Sequence, residues 1–252
     1  MKTADSLESN IPLYAPCRKL TFNAPFVWLK KGWQDFRRAR WHSLAYGAVF
    51  ACIGWLLVYS SWFYEDVFLV GLFISFLLVG PALAFGLYDI SQQLERQHKP
   101  TFGHERRKAF HEMGHELMLA LLLGLAFVIL LILISIVFNI SAIPGQLAIS
   151  AAVPISDAVS LSIAVIFAAL FFCASAFALP MILDQDASAM TAIITSLHAV
   201  WRNKSVLALW ALLILALVAV GFATALIGFV LIVPVVGYAT WHAYRETIIT
   251  KV

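Results

Sequence analysis

The sequence predicts an all-α, polytopic membrane protein: six transmembrane helices paired as three hairpins, each hairpin preceded by a cytoplasmic amphipathic helix. Three observations carry this reading. First, of 252 residues 62% are hydrophobic and 12% are charged, against about 25% charged in a soluble domain. Second, the apolar residues fall in long unbroken runs. Asp66 and Asp89 bracket 22 residues without a charge, and Lys204 and Arg245 bracket 40. The shorter run rises roughly 33 Å as a helix, enough to cross the hydrocarbon core of a bilayer. Continuous rather than alternating apolar runs exclude a transmembrane barrel. Third, the basic residues are one-sided. Six spans place all 17 Lys and Arg on one side: eight before Ser43, five in 90–116, two in 184–205 and two after 242. The other side carries Glu65, Asp66 and Asp157. The positive-inside rule then puts both termini in the cytoplasm, and a reporter fused after Val252 is expected there.

Residues 1–24 read as a polar, poorly ordered tail, and residues 25–252 as one membrane domain. Pro25–Arg38 reads as an interfacial helix. Phe26, Leu29, Trp33 and Phe36 share one face, and Lys30, Lys31, Gln34, Arg37 and Arg38 lie mostly elsewhere. Aromatic against basic is what a helix lying on a membrane needs. The first span is Ser43–Trp62, with Gly47, Ala51 and Gly54 as a small-residue stripe where another helix can approach. A very short turn leads into the second span, 67–88, and polar sequence follows Asp89 to Pro100.

A second amphipathic segment, Thr101–Glu116, enters the third span, 117–140. Residues 139–157 read as an outer loop, and the fourth span runs to residue 183 from Ala158. Met190, Ile193, Leu197 and Val200 or Trp201 then keep helical spacing in a third amphipathic segment. Residues 205–223 and 224–243 suffice for two more crossings, turning near Gly221 and Gly228. One crossing with a re-entrant loop is the alternative.

Each hairpin's second span carries an inner proline followed by polar residues: Pro81 before Asp89, Pro180 before Asp184 and Asp186, Pro234 before Trp241, His242 and Arg245. Proline removes a backbone hydrogen bond and kinks a helix. Cys17, Cys52 and Cys173 form no CxxC pair and read as packing thiols. Residues 1–40 hold no apolar h-region, so no cleavable signal peptide is expected.

SLAYG at 43–47, FLLVGPALAFGLYDISQQLE at 76–95, ALPMILD at 178–184, TAIITSLHAVWRN at 191–203 and GYATWHAYR at 237–245 resemble an uncharacterised family of bacterial multi-pass integral membrane proteins, a domain of unknown function. The resemblance covers roughly residues 25–250. It implies six spans in a bacterial inner membrane and no known activity. Some relatives carry names suggesting an oxidase haem subunit. Haem–copper chemistry needs several His inside the spans, whereas all seven His here fall at or beyond the cytoplasmic edge.

Three features could carry chemistry. His111-Glu112-Met113-Gly114-His115 fits H-E-x-x-H, in which two His one helical turn apart bind zinc and the Glu serves as general base. Asp184 is the candidate third ligand, because its span ends on the same side. That would make a membrane-embedded zinc metallopeptidase. No Asn-Pro pair precedes that Asp, and the His pair lies before a span rather than within one. The second feature is a cytoplasmic rim of Asp89, Asp184, Asp186, Trp241, His242, Tyr244 and Arg245, either a polar vestibule or helix-end solvation with an aromatic belt. Arg245 is expected to pair with Asp89 or Asp184. The third is the set of kinks at Pro81, Pro180 and Pro234, expected to line one cavity.

No charged residue lies deep in a span, which disfavours ion-coupled carriers. Phosphate-loop and dinucleotide motifs are lacking, and a net charge of +3 gives no strong field toward nucleic acid. The reading is a non-enzymatic inner-membrane protein without a cofactor: a scaffold, an assembly partner of an unknown membrane protein, or a module binding membrane lipids. The alternatives are the zinc peptidase and a transporter or channel for an apolar or zwitterionic solute.

Overall fold

The computed structural model describes residues 14–60, 83–98, 100, 166, 169–170, 172–185 and 187–249. Among them the regular elements are helices: α1 (Ala24–Arg38), α2 (Arg40–Ser60), α3 (83–95), α4 (Ala178–Gln185), α5 (Ala189–Arg202), α6 (Lys204–Ala223) and α7 (Phe229–Thr247). Residues 67–82, the segments 101–116 and 117–140 and the loop 139–157 lie outside the described residues.

α7 is the hub, with α1 packed most extensively along it and α2 next. Glycine permits the approach. A Cβ on Gly32 of α1 would sit 2.6 Å from the Val235 carbonyl oxygen and 2.9 Å from the Ala239 nitrogen. One on Gly47 of α2 would collide with the backbone of Val230. Pro234 lies inside α7 and cannot donate to the Val230 carbonyl, and Gly47 is the residue set against that site. Ala51 is buried as well, and Gly54 faces the Leu226 side chain. The small-residue stripe of α2 therefore packs within the chain.

α2 and α6 are long and apolar enough to cross a bilayer, and 22% of each apolar window is buried. That low figure separates them from the core helices of a soluble protein. Trp55 and Leu56 on α2 and Leu212 and Leu215 on α6 are exposed and offer apolar surface. α2 begins at Arg40, three residues ahead of the expected span. α6 and α7 form the hairpin expected of residues 205–243, around a turn at 224–228. Ala225 and Leu226 adopt left-handed backbone there, with φ of 50° and 69°. The nitrogens of Leu226 and Ala225 bond to the Gly221 and Phe222 carbonyls, so the last carbonyls of α6 are satisfied. α3 ends in the same way. Gln97 is left-handed, and His98 N bonds to the Gln93 carbonyl at 2.9 Å. The helix thus continues past Asp89, where the sequence reading ended it.

Each amphipathic helix buries one face and leaves much of its apolar stripe exposed. α1 buries Trp28, Gly32 and Asp35 along with Phe36, while Phe26 and Trp33 stay exposed. α5 buries Ala192, Thr195, Ser196 and Ala199, while Met190, Leu197 and Trp201 stay exposed. Small and polar side chains, with Trp28 and Phe36 of α1 and Val200 of α5, face protein, while other large apolar ones face outward.

Pro180 acts on its own helix. Helical residues 172–175 are separated from α4 by a turn at 176–177. The Ser196 hydroxyl enters this break, donating to the Cys173 carbonyl at 2.7 Å and accepting from Phe177 N at 3.2 Å. It bridges the Phe177 nitrogen and the Cys173 carbonyl, which would pair directly in an unbroken helix. Residues 14–20, expected in a loose tail, are pinned instead. Arg18 N and the Pro16 carbonyl pair with Thr247 and Ile249, Ala15 N donates to Thr195, and the Asn203 amide bridges Arg18 and Leu20. The remainder of that tail, 1–13, lies outside the described residues.

Candidate functional site

The last two turns of α7 project four polar-tipped side chains toward three different helices. Trp241 and Tyr244 are fully buried. They therefore pack against protein and do not form the lipid-facing aromatic belt that the sequence allowed.

His242 points at α1. Its Nε2 lies 2.7 Å from Asp35 Oδ2, and the same oxygen accepts the Ser91 hydroxyl of α3 at 2.7 Å. Asp35 is buried. A carboxylate oxygen only accepts, so Nε2 carries the proton in this bond. Two short donors on one buried oxygen meet the hydrogen-bonding need of this carboxylate inside the protein. The order is not that of a hydrolase triad. Ser91 donates to the carboxylate and not to the imidazole, so His242 does not take its proton through this contact.

Tyr244 and Arg245 point at α4. The Tyr244 hydroxyl donates to Asp184 Oδ2 at 2.8 Å, Arg245 Nη1 reaches the same oxygen at 3.2 Å, and the Gln92 amide reaches Oδ1 at 3.2 Å. The Gln185 amide donates to the Tyr244 oxygen at 2.9 Å. Burial first, then the neighbouring Asp184 carboxylate, pushes the Tyr244 phenol far above its ordinary value, so it stays a neutral donor. Burial opposes the charge on Arg245, but Glu95 and Asp184 outweigh it and hold the guanidinium protonated. Glu95 of α3 closes the set, accepting Arg245 Nε at 3.2 Å and Trp241 Nε1 at 3.1 Å. Nearby, Trp28 Nε1 of α1 donates to Glu246 at 2.8 Å, and Ser43 meets Tyr238 at 2.8 Å in a fully buried pair.

Between α1, the end of α3 and α7 lies an open groove of about 290 Å³. Lys31, Gln34, Asp35 and Arg38 form one wall, Leu94, Glu95 and Gln97 the other, and His242 sits between them.

Of the rim residues read from the sequence, the structure joins Asp184, Trp241, Tyr244 and Arg245 in one polar network with Glu95, and places His242 in a second set with Asp35 and Ser91. Arg245 pairs with Asp184 as expected, and with Glu95 rather than Asp89. Asp89 accepts from Gln93 on its own helix at 2.9 Å. Pro180 and Pro234 are buried. Asp186, Pro81 and the motif His111, Glu112 and His115 lie outside the described residues. Asp184 has both oxygens committed, so a ligand role would displace Tyr244 or Arg245. Among the described residues no three His, Cys, Asp or Glu side chains gather as a metal site. Sequence reasoning missed Asp35, Ser91, Gln92 and Glu95. Asp35 had a signal, because it is the lone acid of α1 and lies one helical face with Trp28 and Gly32.

Residues 67–184 match the model of a family described as "Predicted integral membrane protein (DUF2189)". The match takes in two of the five motifs above, at 76–95 and 178–184, and it fits the resemblance they carry: an integral membrane protein of unknown function. No curated protein and no solved structure matches the chain.

Proposed function

We propose that this chain is a non-enzymatic, multi-pass membrane protein of three hairpins and six spans, with both termini cytoplasmic, serving as a lipid-binding module. The observation that carries the reading is the double face of α1. Its inner face, Trp28, Gly32 and Asp35, is fixed to α7. Its outer face presents Phe26 and Trp33, at 50% and 43% exposure, interleaved with Lys30 and Arg37. An aromatic-basic face held rigidly at the mouth of a spanning bundle suits anionic headgroups. Trp41 and Trp201, at 79% and 81% exposure beside the starts of α2 and α6, suit the same depth.

The rim supports a structural role rather than a catalytic one. Asp35, Ser91 and His242 bond in one set, and Asp184, Glu95, Tyr244 and Arg245 in another, so these side chains are engaged in holding helices together. The bacterial inner membrane is the location that the family's motifs suggest.

Spin labels test the reading. The full chain, with its cysteines replaced, carries a single label at Phe26, Trp33, Lys31 or Arg38 in vesicles containing phosphatidylglycerol. Labels at Phe26 and Trp33 are expected to collide with lipid-soluble oxygen, and those at Lys31 and Arg38 with a water-soluble nickel chelate. The reverse pattern, or no difference, sinks the proposal.

A further inference from the structure

We infer that the groove between α1, α3 and α7 is a binding site for a phosphate-type oxyanion, held by Lys31 and Arg38 with Gln34 between them. The argument begins with which charges at the groove are already used. Its two carboxylates are engaged: Asp35 by His242 and Ser91, Glu95 by Arg245 and Trp241. Its two cations on α1 are not. Lys31 and Arg38 carry no hydrogen bond or ion pair among the described residues, and both line the groove. Positions 31, 34 and 38 fall on one side of α1 at i, i+3 and i+7, so an ammonium, an amide and a guanidinium face one space. These groups are all able to donate, and a phosphate accepts from all three.

The site is shaped before any ligand arrives. α1 cannot slide on α7, because Gly32 meets backbone there and Asp35 is bonded to His242. The opposite wall is fixed by the left-handed Gln97, whose neighbour His98 closes back on Gln93. Rigid walls lower the ordering cost of binding. A volume of about 290 Å³ lies at the lower end of ligand sites, roughly 300–1,000 Å³, so the ligand is small. At about 100° per residue, Lys31 and Arg38 lie roughly 130° around α1 from Phe26 and Trp33. The groove is therefore separate from the aromatic face, and its test does not depend on that face touching lipid.

The oxyanion can be a soluble phosphate or the phosphate of a lipid headgroup, and two arms distinguish them. The full chain is placed in nanodiscs of phosphatidylcholine and titrated with inorganic phosphate by calorimetry. Separately, native mass spectrometry counts phosphatidic acid retained from vesicles of phosphatidylcholine and phosphatidic acid. Each arm compares wild type, the K31Q/R38Q double variant and an R18Q/K19Q control, which loses the same charge from exposed residues of the N-terminal segment, away from both the groove and the aromatic face. A loss of about tenfold or more in K31Q/R38Q alone supports the site. Its appearance with inorganic phosphate assigns a soluble ligand, and its appearance only with phosphatidic acid assigns a headgroup. Equal losses in both double variants, losses in neither, or no binding by wild type in both arms overturn the inference. Matching thermal unfolding of the two double variants excludes misfolding as the cause.

Discussion

α1 and α5 follow one plan and are anchored by different chemistry. Each is an amphipathic helix of 15 or 14 residues, broken for one residue, then continued by a long apolar helix. The break is Ala39 in one case and Asn203 in the other, with similar backbone angles, φ −104° and −122°, ψ 35° and 32°. α1 docks through a charge: Asp35 meets His242 across the interface, and Trp28 meets Glu246. α5 docks through hydroxyls that serve backbone. Thr195 takes Ala15 N, and Ser196 stitches the break made by Pro180. Asn203 adds a tie to the N-terminal segment, for which Ala39 has no equivalent. The lesson is that polar pairing and close backbone approach select the docked face, with Trp28 and Phe36 of α1 buried beside them. Lipid rewards large apolar side chains as well as a protein interior does, so only close backbone approach and polar pairing favour protein.

The largest effect is expected at the closest approach. Gly32→Leu drives a side chain into the Val235 and Ala239 backbone, which cannot yield. It should cost about 3 kcal/mol or more and undock α1, read as thermal unfolding of the detergent-solubilised protein. A wild-type melting curve would break the claim that backbone contact sets this interface.

Removing the charge comes next. Asp35→Ala leaves His242 and Ser91 without their shared acceptor, at a cost of about 2–3 kcal/mol. If the melting temperature barely moves, the Asp35 contact is decoration and the two helices are anchored alike. Ser196→Ala gives the smallest effect, about 1–2 kcal/mol, because it leaves Cys173 O and Phe177 N unpaired beside the Pro180 break. It sharpens the comparison when combined with Pro180→Ala, which lets a backbone nitrogen return at that turn. The double variant should recover part of the loss, and a purely additive result would refute the stitching role.

Much of the rim was legible. The run Trp241, His242, Tyr244 and Arg245 after an inner proline marks the polar end of an apolar helix, and Asp184 marks another. Their partners were not legible in the same degree. Asp35 looks like one wet-face residue among basic neighbours until α7 lies against it. Glu95 and Gln92 look like solvated chain beyond Asp89, because nothing local requires α3 to extend two more turns. The inward faces of α1 and α5 were not legible, because apolar spacing identifies the larger hydrophobic stripe and not the residues that pack against protein. That stripe turns toward protein in water and toward lipid in a membrane.

The sequence by itself determined the class of the protein, since long uncharged runs cannot be satisfied in water. It also determined the places where proline interrupts a helix, because these follow from residue chemistry and local backbone geometry. Tertiary structure alone decided which carbonyl each proline's neighbour would cover, which carboxylates would be neutralised, and which cations would be left facing the groove. Those outcomes depend on residues 30 to more than 200 positions apart meeting, as His242 meets Asp35, and no local pattern encodes such a meeting.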